Sequence, residues 1–309
     1  MLICTLWLCL YGGWWDVVVV DQVPTCIPLL RIFNRRVFYY CHYPDKLLCV
    51  ERSSWLKKAY RFVLDYMEEI TTAFANIIVF NSKFTENSFY SAFRILNKFR
   101  RKLKTAVLYP AQDFDNFERV YENESSAEDN PGEIRFLSEL ASGSVEYFYS
   151  LNRYERKKNI PLALRAFARL KEKYPRTNLK MVHAGGYDLQ CRENIEHFSE
   201  LTALGESLGI TADLILLKNV TNSERADLLK HSACVLYTPE NEHFGIVPVE
   251  AMHCRTPVIC CDSGGPRESV ADGITGYLIP SEDIDGWVDK MAMLSRRRDV
   301  RKDMGEKGR

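Results

Sequence analysis

Hydrophobic positions in the first part of the chain alternate between strand-like runs and a helical period. The runs rich in β-branched and aromatic residues are typical of strands covered on both faces, and they lie at residues 17–20, 36–42, 77–80 and 106–109. Residues 54–75 have a helical period, with Leu56, Tyr60, Val63, Leu64 and Met67 on one side. Alternating strands and helices predict a parallel sheet with crossover helices.

An acidic and polar stretch at residues 111–133, interrupted by Pro131 and Gly132, predicts a surface linker. The alternation then resumes, with a helix predicted over 161–173 and strands at 147–151, 179–184, 214–217, 234–237 and 257–261. The chain is therefore predicted to be α/β, with two tandem Rossmann-like domains facing a cleft. Residues 1–140 form the N-terminal domain plus the linker, and residues 141–309 form the C-terminal domain.

The first 15 residues carry no charge, but they lack a basic segment and a cleavage site, and Asp16 ends the apolar run. The run is shorter than the roughly 20 residues that cross a bilayer. It predicts a buried helix that leads into the first strand.

Composition excludes several classes of protein. The 309 residues are 46% hydrophobic and 12% aromatic, which excludes a disordered or fibrous chain. The formal net charge is zero, so no protein-wide attraction to nucleic acid is expected. The ten cysteines include no C-x-x-C pair, which excludes zinc-finger and thioredoxin-type sites. Cys41, Cys234 and Cys260 are predicted to be buried thiols in a reducing compartment.

The first candidate site follows the predicted strand that ends at Tyr237. Gly245 permits close approach of a ligand, and the amides of Phe244, Gly245, Ile246 and Val247 begin a helix, which is a site suited to phosphate. Glu242 and Glu250 flank this helix start, where Glu250 can accept hydrogen bonds from a sugar diol. The alternative is that Glu242 is a solvated loop acid and that Glu250 interacts with the helix dipole.

The second candidate site is the basic turn at residues 150–159, between a strand and a helix. Its four cations outnumber the single acid Glu155, so Arg153 and Lys158 are predicted to hold a leaving diphosphate. The alternative is a solvated basic turn.

Three further features of the sequence are candidates for a functional site. His42, at the end of an N-domain strand, could hydrogen-bond a sugar hydroxyl, although a structural role is equally open. The loop Ser263-Gly264-Gly265-Pro266 either cradles a ligand or merely turns the chain. The two D-x-D matches, Asp113 to Asp115 and Asp283 to Asp285, are expected to be solvated acids, so no metal and no cofactor is predicted.

The motifs FYYCHYPD, LNRYERKKN, HAGGYD, EHFGIVPVEAM and GGPRES occur in the same order as in a known family. From about Asp16 to Gly308 the chain resembles the retaining, nucleotide-sugar-dependent glycosyltransferases of the B-type fold, which have two Rossmann-like domains. Within that family the motifs are similar to those of mannosyltransferases of dolichol-linked oligosaccharide assembly. The family's glycine-rich entry unit and final helices are missing here, so the N-terminal domain is expected to be incomplete and the chain truncated at both ends.

The resemblance implies transfer of mannose from GDP-mannose to a dolichol-diphosphate-linked Man-GlcNAc2 acceptor, first α-1,3 and then α-1,6, in N-glycan precursor synthesis. It implies that Glu250 holds the ribose, Arg153 and Lys158 the diphosphate, and Glu242 the donor sugar, with His42 approaching that sugar from the other domain. It also implies a location on the cytosolic face of the endoplasmic reticulum membrane, with partner glycosyltransferases.

Residues 89–104 combine aromatic side chains with six basic residues, a pattern that fits either a segment lying on an anionic membrane surface or a solvated helix. The lipid tail of the acceptor that the resemblance implies favours association with the membrane surface. Two other functions remain open. One is a catalytically inactive fragment that only binds a partner or a membrane, and the other is a different nucleotide-sugar transfer on the same fold. An oxidoreductase is disfavoured because no G-x-G-x-x-G follows a strand.

Overall fold

The computed structural model describes residues 2–13, 15–33, 35–49, 54–112, 114, 145–175 and 178–309. The chain forms two compact units, Met1–Pro110 and Ala111–Arg309. Each unit contains one parallel sheet, as predicted. The predicted boundary at residues 140 and 141 lies outside the described residues.

Unit 1 is a four-stranded sheet in the order β1-β2-β3-β4. Its strands are β1 Val17–Asp21, β2 Arg36–Cys41, β3 Ile77–Phe80 and β4 Thr105–Val107. Its helices are α1 Leu2–Tyr11, α2 Ile27–Ile32, α3 Asp45–Leu48, α4 Trp55–Thr72, α5 Lys83–Ala92 and α6 Arg94–Lys98, with 3-10 turns at Pro24–Cys26 and Arg100–Lys102. Ser54 and Ser82 begin α4 and α5, since each hydroxyl accepts a hydrogen bond from the amide three residues later.

Unit 2 is a six-stranded sheet in the order β10-β9-β8-β5-β6-β7. Its strands are β5 Glu146–Leu151, β6 Leu179–Gly185, β7 Leu214–Lys218, β8 Cys234–Tyr237, β9 Val258–Cys261 and β10 Gly276–Ile279. Its helices are α7 Ile160–Lys173, α8 Arg192–Ser207, α9 Asn222–His231, α10 Ile246–His253, α11 Pro266–Ser269, α12 Ile284–Arg296 and α13 Arg298–Gly308, with a 3-10 turn at Arg156–Lys158. Separate apolar clusters cover the two faces of this sheet.

The strand order of unit 2 reverses between β5 and β8, which are hydrogen-bonded neighbours although they are not consecutive in the chain. In open parallel sheets ligands bind beyond the carboxyl ends of the strands at such a switch point. The loops that follow β5 and β8 are those that the sequence singles out, so the topology brings the two candidate sites of this unit to one edge of the sheet.

The predicted strands agree with the structure apart from small shifts at their ends. Two differences are larger. The predicted strand at 106–109 is shorter in the structure, where it begins at Thr105 and ends at Val107. Strand β10 was not predicted because its sequence is short. The side chains of Val17 and Val19 are exposed, so the prediction that β1 is covered on both faces is wrong.

The prediction that the N-terminal helix is buried is also wrong. Helix α1 forms, but Thr5 is its one buried residue, and large apolar side chains such as Ile3, Trp7 and Tyr11 are exposed. In the part of the chain that the structure describes, no helix has the length and apolar character needed to cross a membrane.

The apolar side of α4 faces outward, whereas a helical period of this kind predicts that the apolar side packs against the core. Leu56, Tyr60, Val63 and Met67 are exposed, whereas polar side chains on the other side are buried, namely Asp65, Glu68, Glu69, Thr71 and Thr72. The cause is a set of hydrogen bonds from backbone amides of α3 and α6, which hold the carboxylates of Glu68 and Glu69 against the unit.

The aromatic residues of the segment 89–104 mostly belong to the core of unit 1. Phe89, Tyr90 and Phe93 are buried and pack edge-on or tilted against one another and Phe80. These three rings are packed in the core and cannot contact a membrane. Ile95, Phe99 and the basic residues of the segment are exposed, and their association with a membrane surface stays a prediction.

All ten cysteines are free, and Cys41, Cys234 and Cys260 are buried as predicted. Burial raises the pKa of the Cys41 thiol to about 12, so it stays protonated at neutral pH.

Candidate functional site

The centre of the candidate site is an ion pair at the switch point of unit 2. The Nζ of Lys158 lies 2.5 Å from Oε2 of Glu242, and both side chains are largely buried. Lys158 ends the 3-10 turn after β5, and Glu242 lies in the loop after β8. Burial opposes ionisation of Glu242, but the Lys158 ammonium outweighs it and holds the carboxyl pKa below its usual value.

Two residues at the end of β8 fix this pair. The hydroxyl of Tyr237 donates to Oε2 of Glu242 at 3.2 Å, and the hydroxyl of Thr238 donates to the carbonyl of Lys158 at 2.8 Å. Burial, followed by the charge of Glu242, raises the pKa of Tyr237 well above its usual value, so it remains a neutral donor. The pair is therefore held by both strands of the switch point.

Helix α10 begins beside Glu242, as the sequence predicts. Gly245 adopts φ +85°, a conformation that favours glycine, and the side chain of Phe244 is buried next to it. Within the described part of the chain no side-chain cap is found at this helix start, and its first turn, which contains Ile246 and Val247, carries no acid. The first amides of a helix lack intrahelical partners, so this end presents donors suited to an anion.

The loop Ser263-Gly264-Gly265-Pro266 acts as a support for the Glu242 loop. The amide of Gly265 donates to the carbonyl of Glu242 at 2.7 Å, and Ser263 accepts from the amide of Asn241 at 3.0 Å. A Cβ atom at Gly264 would lie 2.5 Å from that carbonyl oxygen, and one at Gly265 would lie 2.3 Å from Cα of Phe244. Glycine is needed at both positions because the backbone of this loop lies against the backbone of residues 242–244, which leaves no space for a side chain.

Glu250 is buried one turn inside α10. Its Oε1 lies 3.5 Å from the Nη2 of Arg225 on α9, while Oε2 has no hydrogen-bond partner among the residues that the structure describes. Burial raises the pKa of Glu250, and Arg225 opposes that rise. The charge of Glu250 also contributes to the raised pKa of Tyr237, so both acids lie near that ring. An acid with one free buried oxygen can accept a hydrogen bond from a ligand hydroxyl.

The basic turn has more acidic partners than the sequence suggested. Arg153 and Lys157 pair with Glu155 at 2.9 and 3.1 Å. Arg156 instead pairs with two glutamates of α8, and Lys158 pairs with Glu242, so the argument that cations outnumber acids is wrong. The acids come from elements that are remote in sequence. Arg153 is the more exposed of the two predicted phosphate ligands, and it also lies against Gly186.

His42 belongs to unit 1. Its Nε2 lies 2.8 Å from Oδ1 of Asp21, and its ring packs edge-on against Tyr40. The backbone of His42 is fixed by Gln22 and Asn81, and about half of its side chain is exposed. The imidazole is thus held in one orientation at the end of β2 by Asp21 and Tyr40.

No cluster of three or more histidine, cysteine or acidic side chains suited to a metal occurs within the described ranges. Of the D-x-D matches, Asp113 and Asp115 lie outside those ranges. Asp283 accepts from the amide of Gly286 and begins α12, and Asp285 lies 3.7 Å from Arg169.

Sequence reasoning missed three groups that support the site, namely Tyr237, Thr238 and Arg225, whereas it had singled out the loop that begins at Ser263. Tyr237 and Thr238 could have been found from their position at the end of a strand before Glu242. Arg225 carries no such signal, because it reaches Glu250 only through the packing of α9 on α10.

Comparison with known proteins agrees with this picture. Residues 135–309 match the family described as glycosyl transferases group 1. The chain is 41% identical over 276 residues to the alpha-1,3/1,6-mannosyltransferase ALG2 of Mus musculus, covering 88% of this chain and 63% of that protein. It is 38% identical over 299 residues to ALG2 of Homo sapiens, covering 95% of this chain and 68% of that protein. The chain thus spans about two thirds of the length of these relatives.

Solved structures share the fold. Sucrose-phosphate synthase from Thermosynechococcus elongatus has a TM-score of 0.73 at 17% identity, covering 99% of this chain and 70% of its own. HepE of Anabaena, solved in complex with UDP, has a TM-score of 0.73 at 18% identity, covering 99% of this chain and 75% of its own.

Proposed function

Since the chain belongs to the glycosyl transferases group 1 family, we propose that it is a retaining mannosyltransferase of N-glycan precursor synthesis. The proposed reaction moves mannose from GDP-mannose to a dolichol-diphosphate-linked Man-GlcNAc2 acceptor, first α-1,3 and then α-1,6. The observation that carries the proposal is the Lys158–Glu242 pair beside the start of α10, at the switch point of unit 2.

The donor diphosphate is proposed to bind at the amides of residues 244–247, with the ammonium of Lys158 shared between a phosphate oxygen and Glu242. Arg153 lies after the same strand as Lys158, and its exposed side chain has the length to turn from Glu155 to the outer phosphate. Two cations and a helix start are enough to hold a diphosphate.

The two acids have separate proposed roles. Glu250 accepts hydrogen bonds from the ribose hydroxyls through its free oxygen Oε2, a role supported by the burial of its charge near Arg225. Glu242 binds hydroxyls of the donor sugar, and Lys158 and Tyr237 keep it ionised and oriented. His42 of unit 1 is proposed to hydrogen-bond the same sugar.

The proposed reaction needs no nucleophile from the protein. The bond between the sugar carbon C1 and the phosphate oxygen breaks, and the acceptor hydroxyl forms a bond to C1 on the same face. Its proton passes to the departing diphosphate. The protein's largest contribution is to stabilise the negative charge that develops on the diphosphate, through Lys158, Arg153 and the helix amides.

The enzyme is proposed to work on the cytosolic face of the endoplasmic reticulum membrane, alongside other glycosyltransferases, because its acceptor is anchored there by a lipid. No metal or other cofactor is proposed.

The test is a transfer assay with the full chain, lipid-linked Man-GlcNAc2 and either GDP-mannose or a UDP-sugar. The proposal expects mannose incorporation from GDP-mannose, with α-1,3 and α-1,6 linkages in the product. Transfer only from a UDP-sugar would instead identify another transferase of the same fold. Binding of GDP without any transfer would identify an inactive binding module.

A further inference from the structure

Helix α4 packs against unit 1 through its charged side. Glu68 accepts from the amides of Asp45 and Lys46 at 2.8 and 3.0 Å, and so caps the start of α3. Glu69 accepts from the amides of Ile95 and Leu96 at 2.6 and 3.1 Å, and so caps the start of α6. These carboxylates are buried and are satisfied by backbone donors.

One further contact fixes the same orientation. Arg61 reaches Oδ2 of Asp45 on α3 at 2.8 Å, and Oδ1 of Asp65 on its own helix, at 2.9 Å, holds the guanidinium in place. Turning the helix to bury its apolar side would leave the four backbone amides of α3 and α6 without their carboxylate acceptors, which is unfavourable for donors that are at least partly buried. The outward position of the apolar side is therefore fixed by the fold.

The outward face forms a continuous apolar stripe along the helix. Its members recur every three or four positions and are all exposed, namely Leu56, Tyr60, Val63, Tyr66, Met67 and Ile70. Tyr60 is 65% and Leu56 62% exposed. Contiguous apolar patches of this kind on a folded protein mark a surface for another molecule.

The exposed charges of α4 itself are of one sign, and the neighbouring exposed acid Asp45 of α3 is paired with Arg61. The three acids of α4, Asp65, Glu68 and Glu69, are all buried, so its exposed side carries only apolar groups and the lysines Lys57 and Lys58.

Helix α6 begins at the side chain of Glu69 and also has apolar residues at its surface, since Ile95 and the following Phe99 are exposed. The Nζ of Lys102 lies 5.8 Å from the centre of the Phe99 ring. The same segment contains further exposed cations, namely Arg94, Lys98 and Arg101, whereas Arg100 pairs with Glu86.

We propose that the apolar stripe of α4, with its basic surroundings, docks unit 1 on a lipid bilayer that contains anionic headgroups. An apolar stripe with aromatic side chains and a basic border is the pattern of helices that lie in the membrane interface. Lysines and arginines beside it attract anionic lipids. Two copies of this face would instead bring like charges together, which disfavours self-association. The proposal does not depend on the transfer reaction.

The test is co-sedimentation of the full chain with phosphatidylcholine vesicles, with and without phosphatidylserine. The wild type is expected to bind, and to bind more strongly when phosphatidylserine is present. The triple variant L56Q/Y60Q/V63Q is expected to lose at least about tenfold in partitioning into both vesicle types, because apolar area is removed from the contact. The variant K57Q/K58Q should lose most of the added binding to phosphatidylserine.

The matched control is L189Q/I274Q, which changes two exposed apolar residues of unit 2 and should bind like the wild type. Equal binding by the triple variant and the wild type would overturn the proposal. So would concentration-dependent dimerisation that the triple variant abolishes, because the face would then bind a second copy. The transfer assay in detergent is a separate readout, so failure of the proposed reaction leaves the vesicle result unaffected.

Discussion

Lys158 and Glu242 are 84 positions apart in the chain, yet their Nζ and Oε2 atoms are 2.5 Å apart. The contact joins the loops after β5 and β8, the two strands between which the order of the sheet reverses. A cation held in this way at the start of a helix is already oriented before an anion binds. Such preorganisation is the main source of electrostatic catalysis in enzymes.

Replacing Lys158 by alanine should lower kcat for mannose transfer by about a hundredfold, because one donor to the leaving diphosphate is lost. The matched control is Lys157→Ala, since Lys157 is the adjacent residue and pairs with Glu155 instead of Glu242. The control should keep kcat within about twofold of the wild type. Equal losses in the two variants would mean that the turn acts only through its net charge.

Replacing Glu250 by glutamine should raise the KM for GDP-mannose by about tenfold with little change in kcat, because a charged acceptor for the ribose hydroxyls is lost. Steady-state kinetics with varied donor concentration measures both constants. A fall in kcat at unchanged KM would contradict the assignment of Glu250 to ribose binding.

Arg225 should control the pH at which Glu250 becomes protonated. Burial raises the pKa of Glu250 and Arg225 opposes the rise, so the carboxylate is lost as the pH falls and donor KM increases on the acid side. Arg225→Gln should move that increase to higher pH. The nearby Tyr149 and Tyr237 stay neutral, since burial raises both of their pKa values. The control Lys230→Gln, at an exposed position of the same helix, should leave the pH profile unchanged; a shift there would refute a specific role for Arg225.

Replacing Gly265 by alanine should weaken GDP binding at least about tenfold, because the new Cβ would lie 2.3 Å from Cα of Phe244 and displace the start of α10. The control Gly209→Ala strains a glycine at φ +68° in open space, remote from this loop. It should lower stability by about 1 kcal/mol without affecting GDP binding. Titration of GDP into both variants separates the two effects.

His183 should make the protein less stable in mild acid. Burial lowers the pKa of its imidazole to about 3, from an ordinary value of 6.5. Below pH 6.5 the unfolded chain binds a proton that the folded chain does not, so the free energy of unfolding falls by up to about 1.4 kcal/mol per pH unit towards pH 3. Urea unfolding at pH 7, 6 and 5 measures this slope. His183→Gln should flatten it, and an unchanged slope would assign the acid sensitivity to other groups.

The fold was predictable where the sequence carries strong local signals. Continuous runs such as that at Ile77–Phe80, and Gly245 before a helix, identify the strands and the start of α10. The orientation of α4 was not predictable from its periodicity. It depends on backbone donors of α3 and α6 that meet Glu68 and Glu69 only after folding.

The same limit applies to the candidate site. Glu242, Glu250 and Lys158 stand out because of their positions after strands or at a helix start. Their partners do not: Arg225 reaches Glu250, and two acids of α8 reach Arg156, through tertiary packing alone. Counting charges within one turn therefore could not identify the partners of Arg156.

Calorimetric titration of GDP into the full chain shows whether the edge of the unit 2 sheet binds the diphosphate of a guanine nucleotide sugar. We expect GDP to bind more tightly than UDP, Lys158→Ala to weaken GDP binding at least about tenfold, and Lys157→Ala to leave GDP binding unchanged. Undiminished GDP binding by Lys158→Ala, or no GDP binding by the folded wild type, would refute diphosphate binding at this edge.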